Sequence, residues 1–573
     1  MLRLFSEHSL KRVHMLTCWE PDENLLSLIE SKGFWEDRKT ALFFWDGKAP
    51  LWHQRKISYR TLRHLSLKFA SALSHTRGVH SKERVAIMLP NSPQFAIAYF
   101  GILAIGAIAV PINPLYTAHE ILTILKDSGA TTIILWDTFY PLISKIEKDI
   151  SASSWIKNII VTGTEDALPG LKRFFYKMQA RKKNELFDFT NCNSNIASFG
   201  TLIKEAPTTK ENLRCAISSD DVALLLYTSG TIADPKGVMH THASLRANAQ
   251  SCASAYPELV HVASKKIPVF LAAAPYFHIM GLTTMLHLPL LLRAQVILLP
   301  RPTGATMISA ICYTKSSVFI GVPKMYKALL DIFLKKETPY DLSSLDICIS
   351  GAVEIPEELK NNFEQIVGKE IYVGYGMSET GITHCQRRDM GKRGSVGIPF
   401  SGVLQKILNQ DRCGIGEILI KGRGVMRGYW TSGTGIDGEK TSKCIDSEHW
   451  FHTGDLGRID PDGVLFFVGR IKDMIKGLGG ENIYPGEIER VLLAHPLVAE
   501  AAVAGIKDKK WGEKIKAFLV LKDQGLEKHF SQKDIFDHCR KRLAPFKIPH
   551  EIECRSELPK NFAGKILKKE LTK

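Results

Sequence analysis

Short apolar runs rich in β-branched residues recur along the chain at 84–89, 131–135, 296–299, 317–320 and 347–349, with longer stretches of helical period between them. Strands apolar on both faces and separated by helices are the pattern of covered parallel sheets, so the prediction is an α/β fold. The most apolar run, 95–110, is shorter than the roughly 20 residues that cross a bilayer and predicts a buried helix. Asn91 and Ser92 ahead of Pro93 give that helix a start, and Gly101 and Gly106 within it predict close packing against a neighbour. A second run, 280–292, is interrupted by His287 and Pro289 and followed by Arg293, and also reads as core. Residues 184–221 are polar and turn-rich and read as a connection.

From Gly414 the texture changes to short strands with glycine turns, at 416–421 and 463–468. After Gly469 the order is helix 488–494, strand 498–504, strand 517–521 and helix 531–543, that of a compact α+β unit. The expected architecture is therefore a large N-terminal domain of several subdomains with parallel sheets, residues 1–470, and a small α+β C-terminal domain, residues 471–573.

Composition narrows the class. With 45% hydrophobic and 23% charged residues, the 573-residue chain has ordinary globular usage. Its net charge of +16 favours polyanionic partners: nucleotides, coenzyme A phosphates or an acidic membrane surface. No nucleic-acid reader motif accompanies the charge, so nucleic acid is not an expected partner. One basic cluster, Lys172, Arg173, Lys177, Arg181, Lys182 and Lys183, surrounds Phe174, Phe175 and Tyr176. A solvated helix face and a membrane-surface contact both fit it. Eleven cysteines without any CxxC pair indicate neither a disulfide framework nor a zinc site. A cytoplasmic location is expected, with peripheral contact at the inner face of a membrane left open, because residues 1–16 lack the continuous apolar core of a secretory signal.

The densest chemical signal is Tyr227-Thr-Ser-Gly-Thr-Ile-Ala-Asp-Pro-Lys-Gly-Val238, directly after the apolar run 222–226. Small residues at Ser229 and Gly230 let backbone N–H groups approach phosphate oxygens, Thr228 and Thr231 offer hydroxyls to phosphate or metal, and Lys236 supplies charge. The spacing is not that of a Walker A loop, and Gly rather than Ser or Thr follows the lysine. A Ser/Thr/Gly loop with one lysine can equally be a surface turn, so the neighbouring motifs decide.

Those motifs are Pro275-Tyr-Phe-His278, Gly374-Tyr-Gly-Met-Ser-Glu-Thr380, Gly416-Glu-Ile-Leu-Ile-Lys-Gly422, Trp450-Phe-His-Thr-Gly-Asp-Leu-Gly457, Gly469-Arg-Ile-Lys-Asp473 and Pro559-Lys-Asn-Phe-Ala-Gly-Lys565. In this order, over nearly the whole chain, they resemble the acyl-adenylate-forming superfamily of AMP-binding enzymes. The layout looks most like bacterial long-chain fatty-acid-CoA ligases, on the basic aromatic segment, Thr383-His-Cys385 and Gly394-Ser-Val-Gly-Ile-Pro399.

The resemblance implies an acid–thiol ligase that joins a carboxylic acid, of medium to long chain, to AMP and then to coenzyme A, with ATP and Mg²⁺ required. It implies ATP contacts at Thr228, Ser229, Gly230, Thr231, Lys236, Gly351, Gly374, Tyr375, Gly376, Ser378, Asp455 and Arg470, and metal contacts at Thr228 and Glu379. It further implies catalytic roles for Lys565, Lys476 and His278, and a mobile C-terminal domain hinged at Lys472. Gly477, Gly479 and Gly480 would let pantetheine approach the backbone, and residues 280–286 and 321–323 would line an acyl tunnel.

Several positions depart from the family pattern. Ile232 and Ala233 stand where Thr-Gly is usual, Val353 and Glu354 interrupt an adenine-facing turn, Asn561 and Ala563 replace threonines, and Leu282 replaces a gating tryptophan of some long-chain members. The alternatives kept open are an adenylating ligase for an aryl acid or carrier-protein acceptor, and a weakened relative acting as a binding protein. The chain is read as a monomer or homodimer.

Overall fold

The computed structural model describes residues 23–45, 54–151, 156–182, 186–190, 193–207, 217–228, 236–255, 267–335, 340–388, 390–432, 435–476, 482–508, 512–522, 531–561 and 564–572. Contacts divide the chain into two compact units: residues 1–388, 400–403 and 421–449, and residues 389–399, 404–420 and 450–573.

The first unit holds two large sheets. In one, parallel strands run in the order Ile371–Met377, Ile347–Ser350, Val318–Gly321, Val269–Ala272, Gln295–Leu298 and Thr40–Trp45. Antiparallel strands Gly381–Cys385 and Gln54–Ser58 flank this run. In the other, Ile108–Pro111, Arg84–Met88, Thr132–Trp136, Asn158–Thr162 and Ile196–Ser198 are parallel. Val222–Thr228 joins beside Ile108–Pro111, and antiparallel Lys236–Thr241 and Gly428–Thr431 extend that edge. Every strand expected from an apolar run is present within a residue or two.

Helix Pro93–Ala104 begins as expected, Ser92 Oγ accepting from the Phe95 N–H at 3.3 Å, and all of its residues are buried. A Cβ at Gly101 would stand 2.9 Å from Phe69 Cδ1, so the packing expected there is real. Gly106, however, lies beyond the helix, at a φ of 70° that leads into Ile108–Pro111. The apolar run is thus a buried helix and a buried strand end to end.

The run 280–292 is helical as well, in three parts: Ile279–Leu282, a wide π-type turn Thr283–His287, and Leu288–Leu291. Pro289 has no N–H for the carbonyl one turn back, that of Met285, and the Tyr276 hydroxyl donates to that carbonyl at 3.1 Å. His287, fully buried, meets the Tyr99 hydroxyl at 3.1 Å. Residues 184–221 are more than a connection, since Ile196–Ser198 adds a sheet edge and Phe199–Glu205 a helix.

The second unit carries a four-stranded sheet in the order Val403–Leu408, Gly416–Gly422, Phe451–Ile459, Leu465–Arg470. Beyond it, Val498–Asp508 pairs antiparallel with Gly512–Leu521, which pairs parallel with Glu551–Cys554. Helices Pro485–Leu493 and Gln532–Arg540 cover this sheet through Ile488, Leu492 and Ile535, each fully buried. Together the units form an α/β chain with a large N-terminal and a small C-terminal domain.

Candidate active site

Strand Val222–Thr228 returns as Lys236–Thr241 with Thr228 and Lys236 as Cα partners. Residues 229–235 connect them, so Ser229, Gly230, Thr231, Ile232 and Ala233 lie outside the described residues. Lys236 Nζ sits 5.1 Å from the centroid of the Tyr429 ring, on the neighbouring strand, where its charge meets the negative ring face.

The turn between Ile371–Met377 and Gly381–Cys385 carries Ser378, Glu379 and Thr380. Glu379 is 9% exposed, and its Oε1 accepts from the Tyr429 hydroxyl at 2.9 Å. The Ser378 carbonyl meets His240 Nε2 at 2.7 Å, and burial pushes the His240 imidazole down to about 4, which keeps it neutral and a single donor there. Gly381 has φ 68°, and any Cβ there would collide with the Asn248 side chain. Asn248 in turn donates to the Gly424 carbonyl at 3.0 Å. A Cβ at Gly376 would likewise strike the Gly381 carbonyl, so this hairpin closes only with small residues at both positions. Tyr375 meets His384 edge to face at 5.8 Å, and a Cβ at Gly374 would be in ordinary contact.

A cleft of about 460 Å³, counting its open mouth, is lined by Pro111, Asn113, Tyr116, Leu226, Tyr227, Thr228, Phe277, His278 and Ser378. The structure thus brings Thr228, His278 and Ser378 to one cleft of mixed polar and apolar lining. Asn91 fixes the His278 loop by donating to the Ala272 and Ala274 carbonyls, at 2.9 and 2.8 Å, and accepting from the Tyr276 N–H at 2.9 Å. Burial lowers the His278 imidazole to about 4, so it is neutral at physiological pH. Gly351 follows strand Ile347–Ser350, and its N–H donates to the Gly321 carbonyl at 3.1 Å.

The second unit gathers its own charges. Asp455 and Arg470 are cross-strand partners, with Arg470 Nε 3.1 Å from Asp455 Oδ1, and Asp455 is 2% exposed. The Thr453 hydroxyl accepts from the Asp455 N–H at 3.0 Å and donates to the Ile418 carbonyl at 2.7 Å, which holds that strand segment in place. Lys565 sits in a tight loop in which Asn561 Oδ1 accepts its N–H and the Asn561 N–H returns to its carbonyl, both at 2.9 Å. Asn561 thus does structural work where threonine is usual. Partial desolvation and the nearby Arg470 and Lys472 cations push the Lys565 ammonium down to about 8, against Asp455 and Asp473. The residue is nevertheless open to solvent, which screens this field and leaves little of it as folding stability. Lys472 is lowered too, by burial of part of its chain and by Arg470. Lys476 stands apart, its Nζ donating to Asn482 Oδ1 at 2.6 Å and its N–H to Glu513 Oε2 at 2.7 Å. Gly477, Gly479 and Gly480 lie outside the described residues.

The AMP-binding enzyme family model matches residues 36–430, and that of the AMP-binding enzyme C-terminal domain matches residues 487–565. The chain belongs to the AMP-binding enzyme family. Among relatives, it is 35% identical over 560 residues to a long-chain-fatty-acid–CoA ligase of Bacillus subtilis, covering 96% of this chain and 94% of that one. Among solved structures, an anthranilate CoA ligase in complex with anthranoyl-AMP superposes with a TM-score of 0.76 at 28% identity, over 96% of this chain and 97% of that one. ATP-bound MatB from Rhodopseudomonas palustris gives 0.78 at 25% identity, over 96% and 98%.

As an AMP-binding enzyme the chain is an acid–thiol ligase that takes ATP, with Mg²⁺, and coenzyme A as co-substrate. Its residues fit the ion: Thr228 and Glu379 bring hydroxyl and carboxylate oxygens, the donors a hard cation takes. Among the described residues no three His, Cys, Asp or Glu side chains converge on one point. Tyr429, His240, Asn91 and Asn248 were not visible as site residues in the sequence, since none falls at a motif spacing. No helix of the described residues is long and apolar enough to cross a membrane.

Proposed function

We propose that this enzyme activates a fatty acid of medium to long chain, forming an acyl-adenylate from ATP and then a thioester with coenzyme A. The likeness to the Bacillus subtilis long-chain-fatty-acid–CoA ligase along almost the whole chain carries this reading of the substrate.

In the first half-reaction a carboxylate oxygen attacks the α-phosphorus of ATP and diphosphate leaves, so two anions must meet. Lys236 and the 229–231 backbone hold the triphosphate, Gly351, Gly374, Tyr375 and Gly376 border the nucleotide, and Asp455 with Arg470 holds the ribose. Glu379 and Thr228 would hold Mg²⁺, which when bound would neutralise charge on the phosphates. Lys565, as the ammonium, bridges carboxylate and phosphate oxygens, a role commonly worth about 10²- to 10³-fold. In the second half-reaction the coenzyme A thiol attacks the acyl carbon and AMP leaves. Residues 471–573 then act as a mobile domain hinged at Lys472, and Lys476 faces the thiol step. His278 positions the acyl group more than it transfers a proton, because AMP is already a good leaving group.

The likeness to anthranilate CoA ligase supports a second reading, an aryl acid. Diphosphate release from ATP and Mg²⁺ over short, medium, long and aromatic acids separates the two. Release strongest with medium and long chains is expected. A preference for benzoate-like acids would replace the fatty-acid reading, and no release with any acid would leave a binding protein.

A further inference from the structure

Helix Gly170–Lys182 presents its apolar side to water. Leu171, Phe174, Phe175 and Met178 follow the i, i+3, i+4, i+7 spacing of one helical face and are 71%, 62%, 47% and 46% exposed. The other side faces the protein: Ala180 is buried, and Arg173 pairs with Asp166 at 2.5 Å. Near its start, Lys172 Nζ donates to the Gln54 carbonyl at 3.3 Å. The Phe174 and Phe175 rings lie edge to face, 5.8 Å apart, and form a ridge. Single exposed apolar residues need no explanation, but four on one stripe of an anchored helix do.

We propose that this helix docks the enzyme on an anionic lipid bilayer, its four apolar side chains entering the boundary between headgroups and acyl chains. Charge complementarity selects this occupant. The helix sequence contains Lys172, Arg173, Lys177, Arg181 and Lys182 and no acidic residue. Arg173 is already neutralised by Asp166 and Lys172 is bonded to the Gln54 carbonyl, which leaves exposed Arg181 and half-buried Lys177 to decide: a second copy would set them against their own counterparts, whereas lipid phosphates neutralise them. An apolar stripe edged by bases is the design of helices that lie in a membrane interface, and each cation near an anionic surface adds roughly fivefold to partitioning. The inference does not depend on which acid is activated.

The test is co-sedimentation of the full chain with vesicles of phosphatidylcholine alone, or with about one third phosphatidylglycerol. The wild type is expected to bind the anionic vesicles at least about tenfold better than the neutral ones. The double variant Phe174→Ser, Phe175→Ser should lose at least about tenfold of that binding. Lys177→Gln with Arg181→Gln should lower binding to anionic vesicles and leave neutral ones unaffected. Diphosphate release with a water-soluble acid, measured without vesicles, should be unchanged in every variant, which shows that they fold. A wild type that stays in the supernatant with anionic vesicles overturns the proposal, as does an aromatic double variant that binds like the wild type. If the apolar face instead drives self-association that the double variant abolishes, with no vesicle binding, a second copy is the occupant and the proposal fails.

Discussion

Tyr429→Phe isolates one contact of the site. The substitution keeps the ring that Lys236 faces at 5.1 Å and deletes the hydroxyl that donates to Glu379 Oε1 at 2.9 Å. Tyr429 is 6% and Glu379 9% exposed, so water has little room to replace the lost donor. A hydrogen bond to a charged group of this kind contributes about 1.5–3 kcal/mol. At about 1.4 kcal/mol per factor of ten, that is about tenfold to a hundredfold in any equilibrium that depends on how Glu379 is held. If Glu379 contacts Mg²⁺, initial rates of diphosphate release titrated with Mg²⁺ at fixed ATP should show half-saturation moving up by about tenfold or more, with the rate at saturating Mg²⁺ within a few-fold of wild type. A purely structural hydroxyl would lower the melting temperature and leave the Mg²⁺ dependence where it was. Half-saturation unchanged within about twofold would therefore refute Glu379 as a metal contact.

Four further outcomes are expected. Lys565→Ala should reduce diphosphate release by at least about a hundredfold while thiol transfer from supplied acyl-adenylate persists, and equal loss of both steps would break that division. Because the ammonium is lowered to about 8, the wild-type first step should decline as pH rises past that point, and Lys565→Arg should flatten the decline. Gly381→Ala, at φ 68° and against Asn248, should cost about 2 kcal/mol or more in urea unfolding, part of it recovered by adding Asn248→Ala. Burial, with Asp166 and Asp137 nearby, raises Glu165 from 4.5 to about 7, so the stability it costs accrues as pH rises from 4.5 and is complete above about 7. Glu165→Gln should then stabilise by roughly 3 kcal/mol at pH 8 and by progressively less as pH falls towards 4.5, and a gain independent of pH would contradict the raised carboxyl.

The sheets were legible because a buried parallel strand is apolar on both faces, as at 84–89 and 347–349. The same property hid the break after Ala104, since a buried helix and a buried strand are indistinguishable by apolarity, and only the position of Gly106 separates them. Ile196–Ser198 escaped notice because three residues among polar neighbours carry too little pattern. Motif spacing singled out Thr228, Glu379 and Asp455 as candidates, but it says nothing of partners distant in sequence. Tyr429 reaches Glu379 across 50 residues, and Asn248 reaches Gly424 across 176. Such pairs exist only once the sheets bring their strands together.

The wide turn at Thr283–His287 resets the facing of the helix that runs through it. One residue of a helix is worth about 100° of rotation, so residues before and after this turn do not share a single wheel. A substitution-tolerance scan over 279–291 should show two periodic stretches out of phase. Chains aligned through this segment without a gap would exchange positions on one face of the helix for positions on another.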